Sequence, residues 1–259
     1  MSSGATGLRI GVLVKQVPDP GKISVDPHTR RAIIGGSPVV NTFDAYAIAE
    51  AIDLKERYGA DVTIVSAGPA SARDAIMRGL GTGADRGIHL LANDLDQRDS
   101  LALAKLLADS IRELKFDIVL AGQTSEDLET SQVGPQVAEL LDLPHVSLVT
   151  SLEVEGRELK IRRDSEGRKQ QIAVAMPAML LILTGRDGEQ RHPSLKGMMQ
   201  AKRKPIDVIE VPPVGDAPRM TWSEPEAPVR VRAATILQGV PPQEAAKQLV
   251  AWFRDKHLA

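Results

Sequence analysis

FDIVLA, residues 116–121, is a short apolar run rich in β-branched side chains, and GQTSEDLETSQ, residues 122–132, follows it without a break. Val133, Val137 and Leu140 then recur at helical spacing. A buried strand, a long polar connection and an amphipathic helix account for this order. The same alternation extends upstream. Leu8–Val14 (LRIGVLV), Asp61–Ser66 (DVTIVS) and Ile88–Leu91 have strand character. Between and after them lie helical patterns over Phe43–Tyr58, about 70–81 and about 98–114, with Leu103, Leu107, Ile111 and Leu114 on one face of the last. Strands separated by helices of this length imply an α/β protein with a doubly wound, mostly parallel sheet.

Beyond Leu143 the character changes. LEVEGRELKIRR and QQIAVAM flank the polar DSEGRK and predict added antiparallel strands, with Met179–Thr184 as a last apolar strand. Near the start, ISVD and RRAII predict a small hairpin around Pro27–Arg30. Residues 185–204 are charged and irregular, and five of the 17 prolines fall between Pro212 and Pro228. A boundary near 211 therefore separates an α/β domain, 1–211, from a C-terminal arm, 212–259. The arm ends in a short amphipathic helix, about 242–254, that carries Leu249, Val250, Trp252 and Phe253.

The chain has 259 residues, a net charge of −2, 42% hydrophobic residues and no cysteine. These proportions are those of a globular protein and exclude a disordered one. A charge near zero argues against a nucleic-acid partner. Without cysteine, disulfides, thiolate metal sites, iron–sulfur ligation and thiol nucleophiles are excluded together. The longest apolar run, Ile172–Leu183, has 12 residues and contains Pro177, whereas a spanning helix needs about 20. With no basic-then-apolar leader at the N-terminus, the expectation is a soluble, cytoplasmic protein.

In a doubly wound sheet, ligands bind beyond the carboxyl ends of the strands. Three segments meet that condition: Leu13–Gln16, Ser66–Pro69 and Gly122–Val133. The third is 12 residues long and runs into a helix start with Thr130, Ser131 and Gln132. Amides and hydroxyls there suit an anion such as a phosphate, the alternative being that Thr130 or Ser131 is only an N-cap. Gly79–Ala84 matches GxGxxA, but it follows a helix and precedes a strand, the reverse of the dinucleotide-binding order, so a glycine-rich helix stop is expected. The five histidines, His28, His89, His145, His192 and His257, show no metal spacing. Asp19, Asp26, Asp44, Asp127 and Glu129 are the available carboxylates, and no hydrolytic triad or G-x-S-x-G accompanies them. Asp127 and Glu129 would repel a phosphate beside them unless they face ribose or solvent. Lys202-Arg203-Lys204 is, by default, a solvated face.

Five segments carry a more specific signal: VKQVPD (14–19), NTFDAYAIAEA (41–51), GADRGIHL (83–90), DLETSQVGP (127–135) and RHPSLKGMMQAKRK (191–204). In this order they resemble the β subunit of electron transfer flavoproteins, over residues 8–211. The resemblance implies an adenine-nucleotide-binding, Rossmann-like fold and a heterodimer with an α subunit. Such a heterodimer is an electron carrier rather than an enzyme alone. It takes electrons from acyl-CoA or other dehydrogenases and passes them to a quinone oxidoreductase or a ferredoxin-type acceptor. FAD is then held mainly by the α subunit near the boundary. The β subunit holds AMP, or a second FAD in the NADH-dependent, electron-bifurcating subclass. Its site would comprise Leu13, Lys15, Asn41, Thr42, Phe43, Asp44, Ala67, Gly122, Gln123, Thr124, Ser125, Asp127, Glu129, Thr130, Ser131, Gln132 and Val133.

By the same resemblance, residues 191–204 form a partner-recognition loop with Leu195 as its apolar anchor and Met198, Met199 and Lys202 beside it. The arm would wrap the α subunit. VDPHT (25–29) and TSQVGP (130–135) look like the bifurcating pattern, whereas Gln123–Glu126 depart from it and Leu128-Glu129 stand where Gly-Asp is usual. The choice between AMP and a second FAD therefore stays open. A different class, a stand-alone nucleotide-binding regulator of the stress-protein type, shares the general fold but has no use for a 48-residue arm.

Overall fold

The computed structural model describes residues 7–186, 188–215, 218–223, 225–229 and 235–258. In chain order the first half contains β1 (Arg9–Leu13), β2 (Gln16–Val17), β3 (Ile23–Val25), β4 (Ala32–Ile34), β5 (Val39–Val40), α1 (Thr42–Tyr58), β6 (Asp61–Gly68), α2 (Arg73–Thr82), β7 (Arg86–Leu91) and α3 (Ser100–Ile111). The second half contains β8 (Ile118–Gly122), α4 (Val133–Leu140), β9 (His145–Glu155), β10 (Glu158–Ser165), β11 (Arg168–Ala175), β12 (Ala178–Ile182), α5 (Leu195–Ala201), β13 (Ile206–Glu210) and α6 (Pro242–Asp255).

Nine strands form one sheet in the order β11-β10-β9-β12-β8-β1-β6-β7-β13. From β9 to β13 every neighbouring pair is parallel. The antiparallel β10 and β11 extend one edge. Period-two alternation divides the core between the two faces. Ile118 and Leu120 of β8, with Ala178, Leu180 and Ile182 of β12, pack beneath α1 and α2. Val119 and Ala121, with Met179 and Leu181, face α3 and α4. On that face Gly11 leaves room for the Phe116 ring, 2.5 Å from where a Cβ would stand.

The expected mostly parallel, doubly wound sheet with added antiparallel strands is what the chain adopts. The glycines of GLGTGA are in or just after α2, and a Cβ at Gly79 would meet Ile64 of β6 at 2.7 Å. They set close packing of a helix on the sheet, and Gly83 caps the helix end. The hairpin of β3 and β4 is present and exposes Ile23, Val25, Ile33 and Ile34.

Two elements depart from expectation. IDVIE, 206–210, which carries no strand prediction, adds β13 in parallel to β7 at the sheet edge. Most of its side chains are exposed, so the sequence has no buried alternation to reveal it. Within the irregular region 185–204, Ser194 caps α5 by accepting from Gly197 N at 3.0 Å. No helix among the described residues is long and apolar enough to cross a membrane.

Leu120 has 0% exposure in a central strand, whereas Leu195 is 82% exposed. Leu120→Ala should cost about 2–5 kcal/mol in urea unfolding, and Leu195→Ala should stay within about 0.5 kcal/mol of the parent. Equal losses for the two would contradict this burial.

Candidate functional site

The chain leaves β1 toward β6 and β7 on one side, then returns to place β8 on the other side of β1. This reversal opens a cleft at the carboxyl ends of the strands, with a volume of about 370 Å³. Asp44, in the first turn of α1, is buried beneath it. Its Oδ2 accepts Lys15 N at 2.7 Å, and its Oδ1 accepts Gly122 N at 2.9 Å. One carboxylate thus joins the chain leaving β1 to the end of β8. Position 122 has to be glycine for this, because a Cβ would stand 2.5 Å from Asp44 Oδ1 and 2.6 Å from Phe43 Cβ. Burial pushes Asp44 up to about 7, against the lowering pull of the Lys15 and Gly122 amides, the Asn41 side chain and the Lys15 charge.

Asn41 stands at the N-cap of α1 yet makes no side-chain cap. Its amide turns instead to the loop after β8, donating from Nδ2 to Thr124 O at 2.8 Å and accepting Glu126 N at 3.1 Å. Gln123 Oε1 accepts Leu148 N at 2.6 Å, which fixes the same loop to β9. Lys15 Nζ reaches across to Asp127 Oδ2 at 2.6 Å. That ion pair neutralises one of the two carboxylates expected to oppose an anion. The other, Glu129, is exposed, outside the cleft lining, with φ 50°.

The positive φ values of the loop fall on Glu129 and Ser131 (53°), not on Leu128, where a glycine was in question. Thr130 and Ser131 are not caps: position N-cap of α4 is Gln132, which makes no capping bond, and Ser100 Oγ donates to its Oε1 at 2.9 Å. The α4 amides therefore have no side-chain cap at a helix start where Thr130 and Ser131 line the cleft. Thr124 Oγ1 is buried there with no partner among the described residues.

Of the predicted nucleotide residues, Leu13, Lys15, Asn41, Asp44, Ala67, Gly122, Gln123, Thr124, Ser125, Asp127, Thr130, Ser131, Gln132 and Val133 line this one cleft. Thr42 and Phe43 stand behind it: Thr42 N donates to Glu126 Oε2 at 3.2 Å, and Phe43 packs by Gly122. Sequence reasoning missed the opposite wall. Val65 and Leu103 supply apolar surface, Asp96 and Asp99 polar groups, and Trp222 comes from the arm. Asp99 stands at the N-cap of α3, directly before a helical run, which is a sequence signal that could have pointed to it.

The four residues expected in a recognition loop are on α5 and at its C-cap, Lys202, and they divide by exposure. Leu195 and Met199, one turn apart, are exposed, as is Lys202. Met198 turns inward, its sulfur 2.5 Å from where a Cβ of Gly81 would be. The loop before α5 is held to α1, with Arg191 Nη1 2.7 Å from Glu56 Oε1.

A parallel sheet with a cleft at its reversal point defines a doubly wound α/β protein. The family model described as electron transfer flavoprotein domain matches residues 35–214. The chain belongs to the electron transfer flavoprotein family. It is 34% identical over 250 residues to electron transfer flavoprotein subunit beta of Bacillus subtilis, covering 93% of each chain. With the subunit of the same name from Clostridium acetobutylicum it shares 32% over 259 residues, 96% of this chain and 99% of the relative. With the caffeyl-CoA reductase-Etf complex subunit CarD of Acetobacterium woodii it shares 29% over 262 residues, 97% of this chain and 100% of that one.

Two buried acids give the fold a pH dependence of known sign. Burial pushes both Asp44 and Glu50 up to about 7, Glu50 with help from the neighbouring Asp53 charge. Between their ordinary carboxylate range and pH 7 the folded chain holds protons that the unfolded chain releases, so stability falls as pH rises through this window. Asp94 and Asp99 are held low by their hydrogen bonds and act below it. Urea midpoints should drop from pH 5.5 to pH 8, and Glu50→Gln should reduce the drop. A midpoint that rises over that interval contradicts the assignment.

Proposed function

We propose that this chain is the β subunit of an electron transfer flavoprotein, paired with an α subunit and holding an adenine nucleotide in the cleft at the ends of β1, β6 and β8. The observation that carries the reading is the joint hold of Asp44 and Asn41, which fixes both strand ends and the 123–126 loop around one cavity. The donor set fits a nucleotide. Uncapped α4 amides and the Thr130 and Ser131 hydroxyls suit a phosphate. Thr124 Oγ1 offers an unused hydrogen bond, and Leu13, Val65, Ala67 and Leu103 offer an apolar surface for a ring.

AMP in this cleft serves as a structural ligand, whereas FAD supplies a two-electron redox centre. The chain's own residues do the holding. Asp44 and Asn41 fix the frame, Lys15 balances Asp127, and the loop amides and hydroxyls receive the anion. The donor is an acyl-CoA or other dehydrogenase and the acceptor a quinone oxidoreductase or ferredoxin-type protein, with Leu195 and Met199 as the apolar contact and Lys202 steering an acidic partner. The arm from 212 onward contacts the α subunit, and α6, which has no buried residue, presents Leu249, Val250, Trp252 and Phe253 to it.

Purification with the α subunit, followed by acid denaturation and chromatography of released nucleotides, tests the reading. One FAD with one AMP per heterodimer supports a simple carrier, and two FAD without AMP a bifurcating one. Folded heterodimer that releases no nucleotide overturns the proposal.

Leu195→Ala should lower electron acceptance from the partner dehydrogenase by roughly tenfold or more with nucleotide content unchanged. Loss of nucleotide in that variant would instead make the loop part of the fold's support.

A further inference from the structure

We infer that Trp222 is the aromatic wall of the cleft and stacks on the flat ring of the nucleotide bound there, an inference that rests on the adenine-nucleotide reading above. The chain has only two tryptophans, and Trp222 is the single aromatic side chain among the described residues lining the cleft. It comes from the arm, far from the other lining residues in sequence, and the arm is fastened on both sides of it.

Upstream, Arg98 Nη2 donates to Pro212 O at 2.6 Å, and Asp94 Oδ2 accepts Val214 N at 2.8 Å. Asp99 does two jobs: Oδ1 caps α3 through Ala102 N at 2.9 Å, and Oδ2 accepts Arg219 N at 2.8 Å. Downstream, Glu226 pairs with Arg30 at 2.9 Å, and Ala227 N donates to Arg30 O at 2.9 Å. Arg219 is therefore held at the start of α3 and Ala227 at the β3–β4 hairpin, and Trp222 comes between these two attachments in the chain.

Trp222 is 57% exposed, an unfavourable setting for so large an apolar ring unless something flat covers it. The same cleft is lined by aliphatic side chains of β1, β6 and α3, among them Leu13, Val65 and Leu103. A planar heteroaromatic ring bound in the cleft would cover the indole and meet these aliphatic side chains as well. Adenine and isoalloxazine share this chemistry, and base–aromatic stacking of this kind is tolerant of the ring's identity.

Tryptophan emission tests the inference directly. In the full chain carrying Trp252→Phe, Trp222 is the only tryptophan, and position 252 is in α6, which has no buried residue. The protein, stripped of copurifying nucleotide, is titrated with AMP, with FAD and with ribose 5-phosphate, while calorimetry reports binding independently. Saturable quenching of Trp222 by AMP or FAD, but not by ribose 5-phosphate, is expected. Trp222→Ala should weaken AMP or FAD binding by roughly five- to hundredfold, leave ribose 5-phosphate binding unchanged and be rescued by Trp222→Phe. Calorimetric binding of AMP or FAD without any change in Trp222 emission, and with Trp222→Ala as tight as the parent, overturns the stacking inference and leaves the nucleotide site standing. Absence of binding by either nucleotide overturns both.

Discussion

Asp44 is a carboxylate taken out of water and repaid by two backbone amides that belong to different strand exits. Desolvating the charge is costly, and the Lys15 and Gly122 N–H groups offset that cost only if β1 and β8 end side by side at one depth. The burial that raises its proton affinity is also what makes it a rigid tie. Much follows from that tie. The first turn of α1 is fixed over the sheet's reversal point, position 122 can carry no side chain, and Lys15 starts from a place where its ammonium reaches Asp127.

The loop between β8 and α4 is organised by its neighbours more than by itself. Asn41 gives up the capping role its position suggests and holds Thr124 and Glu126, while Gln123 holds Leu148. Two non-glycine residues, Glu129 and Ser131, take positive φ, a conformation that costs free energy unless surrounding contacts impose it. A loop made this way presents a preformed cavity, which lowers the ordering cost of binding a ligand. An exposed apolar surface is found elsewhere, on α5, where Leu195 and Met199 are supported from behind by Met198 against the glycine face of α2.

Much of this organisation is legible in sequence because the underlying physics is local. Strand runs, helical periodicity, Gly59 at a helix end and the twelve-residue connection after FDIVLA are short-range signals. They suffice for a doubly wound sheet and for which strand ends open onto the cleft. The misplaced GxGxxA is also judged correctly by order alone, since the glycines prove to serve helix packing. The misses share a cause. β13 is an exposed edge strand whose identity depends on β7 being alongside. Arg219 reaches Asp99, and Trp222 the cleft, only because the arm doubles back across a sequence separation of 120.

Local composition and spacing therefore settled the fold class and the carboxyl-end location of the cleft, because hydrophobic period and turn chemistry act over a few residues, while the family's motifs were legible only as a resemblance. The assignment of roles within those segments came only with tertiary structure. Which of Asp44, Asp127 and Glu129 is buried, paired or solvent-facing depends on desolvation and on partners remote in the chain, and neither is a property of neighbouring residues. The same holds for Asn41, a helix cap by position that became a loop clamp because Thr124, 83 residues later, passes beside it.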